Sequence, residues 1–390
     1  MTAQQLRALL AAPGLLAAAD PDDLRVAERL RAQWPADLVA AAAAQTDLRR
    51  RATGKFSRAE RMLFTRAGLE QASSEPVARH RATRFATVDG TVLDLCCGIG
   101  GDLLALGGAG PRVVGADRDE AHALAARHNA RQYGIDASVV VVDVRDLDVT
   151  GMAAVFVDPA RRVARSGPPG ADRRGGYSPG LDWCLQLPAP RLAVKAAPGI
   201  DRAAVPAGWE VEFVAVGRDL KEAVLWSPAW STGSSRATVL LPSTGGEWTV
   251  HSRVPDPELP PAPVRPPGAF LLDPSPAITR AAAVADLAAA LGAWQVDPQI
   301  AFLSADQLLR SPYGTSYAVL ASLPFAVKPL RAELHRLDAG TVEIRRRGLA
   351  GDVDVLRRQL RGPGAQAVTV MLTRVVNRPW ALVCRRVTDT

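Results

Sequence analysis

From residue 91 onward the chain alternates short apolar runs with helix-length segments, and its first joint reads Asp94-Leu-Cys-Cys-Gly98-Ile-Gly100-Gly101-Asp102. An acid closes a strand, glycines turn the chain, and a helix must begin near Asp102. Such alternation is the mark of a parallel sheet, because each strand has to be carried back across the sheet by a crossover before the next can start. Strands are expected at 91–95, 112–116, 138–142, 154–157, 191–195 and 210–216, with two more near 223–226 and 238–241. The expected fold class is α/β, with a Rossmann-like sheet.

The flanks have a different character. Residues 1–88 carry alanine and leucine runs with no strand-like alternation before Phe85, which predicts a helical N-terminal region. The stretch 255–268 contains Pro255-Asp-Pro-Glu-Leu-Pro-Pro-Ala-Pro-Val-Arg-Pro-Pro267, a density of proline that favours extended structure. It is the expected linker between a domain at 89–254 and a C-terminal module at 269–390. In that module, runs at 341–345, 367–373 and 381–384 suggest strands of a small α/β or α+β domain. A chain of 390 residues, 48% hydrophobic and 22% charged, is long enough for two or three domains with sizeable cores. No apolar run reaches the roughly 18 to 20 residues of a membrane span, and the start lacks the order of a signal peptide, so a cytoplasmic protein with no membrane association is expected. Nothing indicates an obligate protein partner.

The glycine turn has a chemical direction. A nicotinamide fingerprint would place a third glycine at 103, where the chain has leucine, and the acid here precedes the turn by four residues. Asp94 with a glycine turn suits the cationic amino-acid end of S-adenosylmethionine better than a pyrophosphate. Asp117, nineteen residues after Gly98, closes the second strand, where an acid can accept both hydroxyls of a ribose. Asp143 closes the third, with Val144 beside it to meet an adenine. Three acids at three successive strand ends fall on the carboxyl edge of the sheet, where such folds bind ligands.

The fourth strand runs into Phe156-Val-Asp158-Pro159-Ala160-Arg161-Arg162, the expected seat of the methyl acceptor. In amino methyltransferases an Asp/Asn-Pro-Pro-aromatic segment holds the amine and stacks the base. Here an arginine takes the place of the ring, so stacking falls to Arg161 or to Tyr177 in the following loop, or else the acceptor is not an exocyclic amine. Asp158, Pro159 and Arg161 are the candidate catalytic residues, with Asp158 orienting the acceptor and taking its proton if a base is needed. The glycine- and proline-rich run 165–179 is expected to form a loop over the site. Lys195 ends the fifth strand, as a supporting contact, a phosphate contact or a solvated strand end. Cys184 is the sole cysteine in a loop suited to nucleophilic attack on a pyrimidine, and nothing around it recommends that role. The cysteines Cys96, Cys97, Cys184 and Cys384 show no CxxC spacing, and no metal is expected.

Taken together, Leu69-Glu-Gln-Ala-Ser-Ser-Glu75, the 93–102 turn, Val157-Asp-Pro-Ala-Arg-Arg162, Ile344-Arg-Arg-Arg-Gly348 and Leu372-Thr-Arg374 resemble the bacterial class I S-adenosylmethionine-dependent methyltransferases with a C-terminal THUMP-like domain. The likeness runs over nearly the whole chain. It implies Gln71 and Ser74 folded over the cofactor; together with the turn and strand-end residues above, the expected cofactor set is Gln71, Asp94, Cys96, Gly98, Gly100, Gly101, Asp117, Arg118, Asp143, Val144 and Asp158. It also implies structured RNA, tRNA or rRNA, as substrate and partner. Between Lys328 and Arg386 the chain has thirteen basic and five acidic residues, a surplus of eight against a net charge of +7 for the whole protein. Arg345, Arg346, Arg347 and Arg374 are therefore the candidate RNA contacts. A methyltransferase of a small molecule or a protein keeps the same turn and makes the arginines incidental. A non-catalytic RNA-binding or assembly protein is the third possibility.

Overall fold

The computed structural model describes residues 1–161, 176–349 and 352–387; Arg162 and most of the 165–179 run lie outside the described residues. The chain divides into two compact units, one of residues 1–210 with 223–232, the other of residues 211–222 with 233–390.

The first unit begins with the expected helices: α1 (Ala3–Ala11), α2 (Pro13–Ala18), α3 (Leu24–Arg31), α4 (Ala36–Ala52), α5 (Arg66–Gln71) and α6 (Glu75–Ala82). Then come β1 (Thr91–Leu95), α7 (Gly101–Gly108), β2 (Arg112–Asp117), α8 (Glu120–Tyr133), β3 (Ala137–Val141), β4 (Ala154–Val157), β5 (Ala160–Arg161), β6 (Tyr177–Ser178), α9 (Leu181–Leu185) and β7 (Leu192–Ala196). Strands β3, β2, β1, β4 and β7 lie side by side in that order, all parallel. Ala223–Trp226 adds an antiparallel edge on β7. After β1 the chain moves outward to β2 and β3, then returns to β4 on the other side of β1. That reversal opens a crevice at the carboxyl ends of β1 and β4, where doubly wound sheets hold their ligands.

Two features bind the N-terminal helices to this sheet. Leu6, Leu48, Phe56, Met62, Leu63, Phe64 and Leu69 share one buried cluster with Ile99 and Leu104 of the glycine-turn region and with Ala121 and Ala125 of α8. Inside it sits Asn129, fully buried, whose amide accepts from Leu63 N–H at 2.8 Å and donates to the carbonyls of Leu63 at 3.0 Å and Ile99 at 2.9 Å. A buried amide is costly unless every polar atom is matched, so these bonds set the register between the helical region and the turn. Helix α8 starts on Asp119, whose carboxylate accepts from Ala121 and His122, and stops at Gly134 in the left-handed region.

The second unit holds a seven-stranded sheet in the order Trp294–Asp297, Ile300–Ala305, Phe270–Pro274, Gly314–Pro324, Arg378–Arg386, Gln366–Val375, Ala339–Arg346. Its pairings are antiparallel except the last. Helices Val327–Arg336 and Val353–Leu360 contribute Leu330, Leu334 and Leu360 to one buried cluster with Ile344, Val370 and Val383. Strand Ser235–Pro242 in the same unit is parallel to residues 211–216 and antiparallel to Trp248–Arg253. The proline-rich stretch lies within this unit, fastened by Gln295 N–H to the Pro263 carbonyl at 2.8 Å and Arg265 N–H to the Gln295 carbonyl at 3.0 Å. Extended proline has no internal hydrogen bonds, which leaves its carbonyls open to a neighbouring strand.

Candidate active site

Between β1 and α7 the backbone takes a left-handed path at Cys96, Gly98 and Gly100, with φ of 61°, 54° and 89°. The two glycines serve different ends. A Cβ on Gly98 would meet no protein atom, since Gly98 borders a cavity of about 570 Å³, whereas one on Gly100 would press on Ala126 at 3.3 Å. Gly98 therefore keeps the backbone open to a ligand, and Gly100 lets α8 pack close.

The cavity collects most of the expected cofactor residues: Gln71, Cys96, Gly98, Gly101, Asp117, Arg118, Asp143, Val144 and Asp158, with Pro159 beside them. Gly100 lies behind the wall. Asp117 accepts from Gly98 N–H at 2.9 Å and Asp119 N–H at 2.8 Å, and the His122 ring stands 3.8 Å away. Burial pushes Asp117 upward, yet His122 and these two N–H groups hold it below the usual carboxylate range. Burial in turn presses His122 down, but the Asp117 carboxylate raises it above an ordinary histidine. Asp143 caps the turn Val144–Asp146 and accepts Arg145 on both oxygens, at 2.9 and 2.6 Å, which lowers it.

Asp94 differs from the other acids. It is wholly buried, and neither carboxylate oxygen has a hydrogen-bond partner among the described residues. Burial pushes its pKa well up, and the charges of Asp158 and Asp117 add to the rise while Arg81 and Lys195 oppose it. Asp94 itself is behind the wall, but Asp158, Asp117 and Lys195 all border the cavity. An unpaired buried carboxylate costs several kcal/mol in a finished structure, so such a group marks a place where a cationic donor is missing. The ammonium of S-adenosylmethionine fits that requirement.

Where β4 ends, Asp158 Oδ2 accepts from Lys195 Nζ at 2.7 Å. Lys195 also donates to Ser73 Oγ at 3.1 Å, and Ser73 donates to Asp102 Oδ2 at 3.3 Å while Arg81 pairs with Asp102 and reaches Ser73 at 3.3 Å. Arg81 is 2% exposed and lies 4.9 Å over the Phe156 ring. Sequence reasoning leaves Lys195 undecided and misses Ser73 and Arg81 altogether; nothing local sets Arg81 apart from the other arginines of a polar helix. Tyr177 is brought to the cavity by the pairing of Ala160–Arg161 with Tyr177–Ser178, and its hydroxyl accepts from Ala197 N–H at 2.8 Å. The backbone of Arg161 pairs with that of Tyr177. Ser74 opens α6, and its side chain makes no capping bond.

The thiols are quiet. Burial raises Cys96 and Cys97 above their ordinary range and pushes Cys184 up to about 12, and Cys184 has no exposure at all. Nucleophilic sulfur needs the thiolate, which these surroundings disfavour.

In the second unit the expected RNA arginines meet acids. Arg345 and Arg347 pair with buried Asp273 at 3.3 and 2.9 Å, joined there by Arg218. Arg345 also holds Glu343 at 2.8 Å, and Arg374 meets Gln299 at 2.6 Å above buried Asp297 at 3.9 Å. Arg346 is exposed and has a partner as well.

Two Mycobacterium tuberculosis proteins, from strains CDC 1551 and H37Rv, each described as an uncharacterized S-adenosylmethionine-dependent methyltransferase, are 38% identical to this chain over 357 residues, 87% of this chain and 95% of theirs. The chain belongs to the S-adenosylmethionine-dependent methyltransferases. Within this methyltransferase, residues 89–170 match the family described as RNA cap guanine-N2 methyltransferase, and 314–386 match THUMP domain-like. A Porphyromonas gingivalis W83 crystal structure, provisionally described as a methyltransferase, shares the fold: TM-score 0.70 at 20% identity, over 91% of this chain and 92% of that one. The methyltransferase is thus α/β, with N-terminal helices, a Rossmann-like sheet and a second, C-terminal sheet domain, and S-adenosylmethionine is its cofactor.

Proposed function

We propose that this methyltransferase modifies a base in structured RNA, a tRNA or an rRNA, with Asp94, Asp117 and the Asp143–Val144 turn holding the cofactor and Asp158 orienting the acceptor. The observation that carries the cofactor half is Asp94, buried and unpartnered beside a cavity bordered by Asp117, Asp143 and Asp158. Bound S-adenosylmethionine supplies a methyl group already activated on a sulfonium. The protein then has mainly to align the acceptor and manage one proton. Asp158 Oδ1, which accepts from no described residue, would hold an acceptor N–H and so fix the orientation of the group to be methylated. The proton that the acceptor nitrogen gives up would pass to Asp158 or to water. Tyr177 lies along the same wall and offers a face for a planar base.

RNA as the substrate class draws support from the two family matches and from the basic C-terminal segment. Because Arg345, Arg347 and Arg374 are engaged with acids or Gln299, the RNA contacts in this reading shift toward exposed Lys328, Arg331, Arg358, Arg361, Arg385 and Arg386. Mass spectrometry of nucleosides from bulk tRNA and rRNA, in a strain lacking the gene against its parent, tests the proposal. One modification should disappear; identical nucleoside profiles would remove the RNA reading.

A further inference from the structure

Nothing in a strand-end lysine announces a role, but Lys195 is neither solvated nor idle: its side chain is 12% exposed, and two of its three N–H donors go to Asp158 at 2.7 Å and Ser73 at 3.1 Å. Ser73 lies in the turn between α5 and α6, outside the sheet, and is itself gripped by Asp102 at the start of α7 and by Arg81 of α6. Arg81 and Asp102 are both buried, so this anchor is rigid. The chain of contacts runs from Arg81 and Asp102 through Ser73 and Lys195 and ends on Asp158 at the cavity wall.

We infer that Lys195 is the positioning residue for Asp158, and that the N-terminal helical region, through Ser73 and Arg81, completes the acceptor half of the site. The inference rests on the reading that Asp158 orients the acceptor. Its chemistry is directional. The ammonium occupies Oδ2 and leaves Oδ1 as the acceptor offered to an N–H, while Lys195, with one N–H uncommitted to Asp158 or Ser73, lines the same cavity. An acid and a donor side by side match a planar group with an N–H next to a lone pair, the edge that nucleobases carry. A lysine that merely filled space or held the cofactor would not require Ser73.

The test uses tritium transfer from S-adenosylmethionine by the full-length protein into three fractions of a strain lacking the gene: bulk RNA, total protein and small molecules. On whichever fraction the wild-type protein labels, Lys195→Met is expected to lower kcat by about 100-fold while the cofactor Kd from calorimetry stays within about threefold, the pattern of impaired alignment rather than impaired binding. Lys195→Arg, which keeps the charge and a donor, should recover part of the rate, and Ser73→Ala should lower kcat by about tenfold. Wild-type rate in Lys195→Met, or an equal loss of cofactor affinity, overturns the inference. The RNA reading fails separately, when the wild-type label enters protein or small molecules.

Discussion

Asp94 and Asp273 are buried alike, at 0% and 3% exposure, and their surroundings could hardly differ more. Asp94 sits one residue from the end of β1 beside a cavity with neither oxygen partnered among the described residues, whereas Asp273, one residue from the end of its own strand, has Arg218, Arg345 and Arg347 converging on it. The first acid is left without a hydrogen-bond partner among the described residues, and the second is met by three arginines of the fold. The contrast teaches that an arginine run in a sequence is not an RNA site until its counter-charges are known. It also teaches that a lone acid is not a defect when a cation is due.

The contrast can be broken most forcefully at Asp273. Replacing it by Asn strands three guanidiniums and should destabilise the protein by roughly 3 kcal/mol, the low end for a broken buried pair because the arginines are a quarter to a third exposed. Denaturant unfolding measures this, and cofactor affinity should not change. An unaltered midpoint would mean that the three ion pairs are ornamental.

Asp94 predicts the opposite sign. Its folded pKa is raised, so the folded protein holds its proton to higher pH than the unfolded chain does. The associated stability is complete below the ordinary carboxylate pKa and is lost as pH rises through the raised value. Unfolding curves of the cofactor-free protein should therefore show stability falling with pH above about 4, and Asp94→Asn should flatten that slope. A slope that survives the substitution would assign it to another group.

For RNA, removing the exposed pair with Arg385→Ala and Arg386→Ala should reduce the slope of log affinity against log salt by about one for each phosphate that is no longer neutralised, as read by filter binding at several salt concentrations. Arg347→Ala should cost stability and leave that slope alone. The reverse result would return RNA binding to the paired arginines.

The smallest effect is expected at His122. Its raised pKa comes from Asp117, so the attraction is present at low pH and fades as pH rises through the folded value. His122→Gln should lower cofactor affinity by only a few-fold on the acid side, with no change on the alkaline side, in titrations across that range.

Much of this is legible in the residues alone. Period and turn chemistry locate β1, β4 and the strand beginning at Glu210 to the residue, and the acids at strand ends lead to Asp117, Asp143 and Asp158, because one local rule governs all three. Trp294–Asp297 and Ile300–Ala305 escape notice, since short buried strands without alternation read no differently from loops. The Arg81–Asp102–Ser73–Lys195 chain is invisible because it joins residues up to 122 positions apart. Partners at that separation leave no periodic trace. The same blindness misjudges Arg345 and Arg347, whose partner Asp273 lies more than seventy residues upstream.

Isothermal titration of S-adenosylmethionine into the wild-type protein and Asp94→Asn tests the central claim most directly. If Asp94 is the missing half of an ion pair with the cofactor's ammonium, affinity should fall by at least about 30-fold, corresponding to about 2 kcal/mol or more for a truncated buried charge pair. Equal affinity in the two proteins would contradict the account.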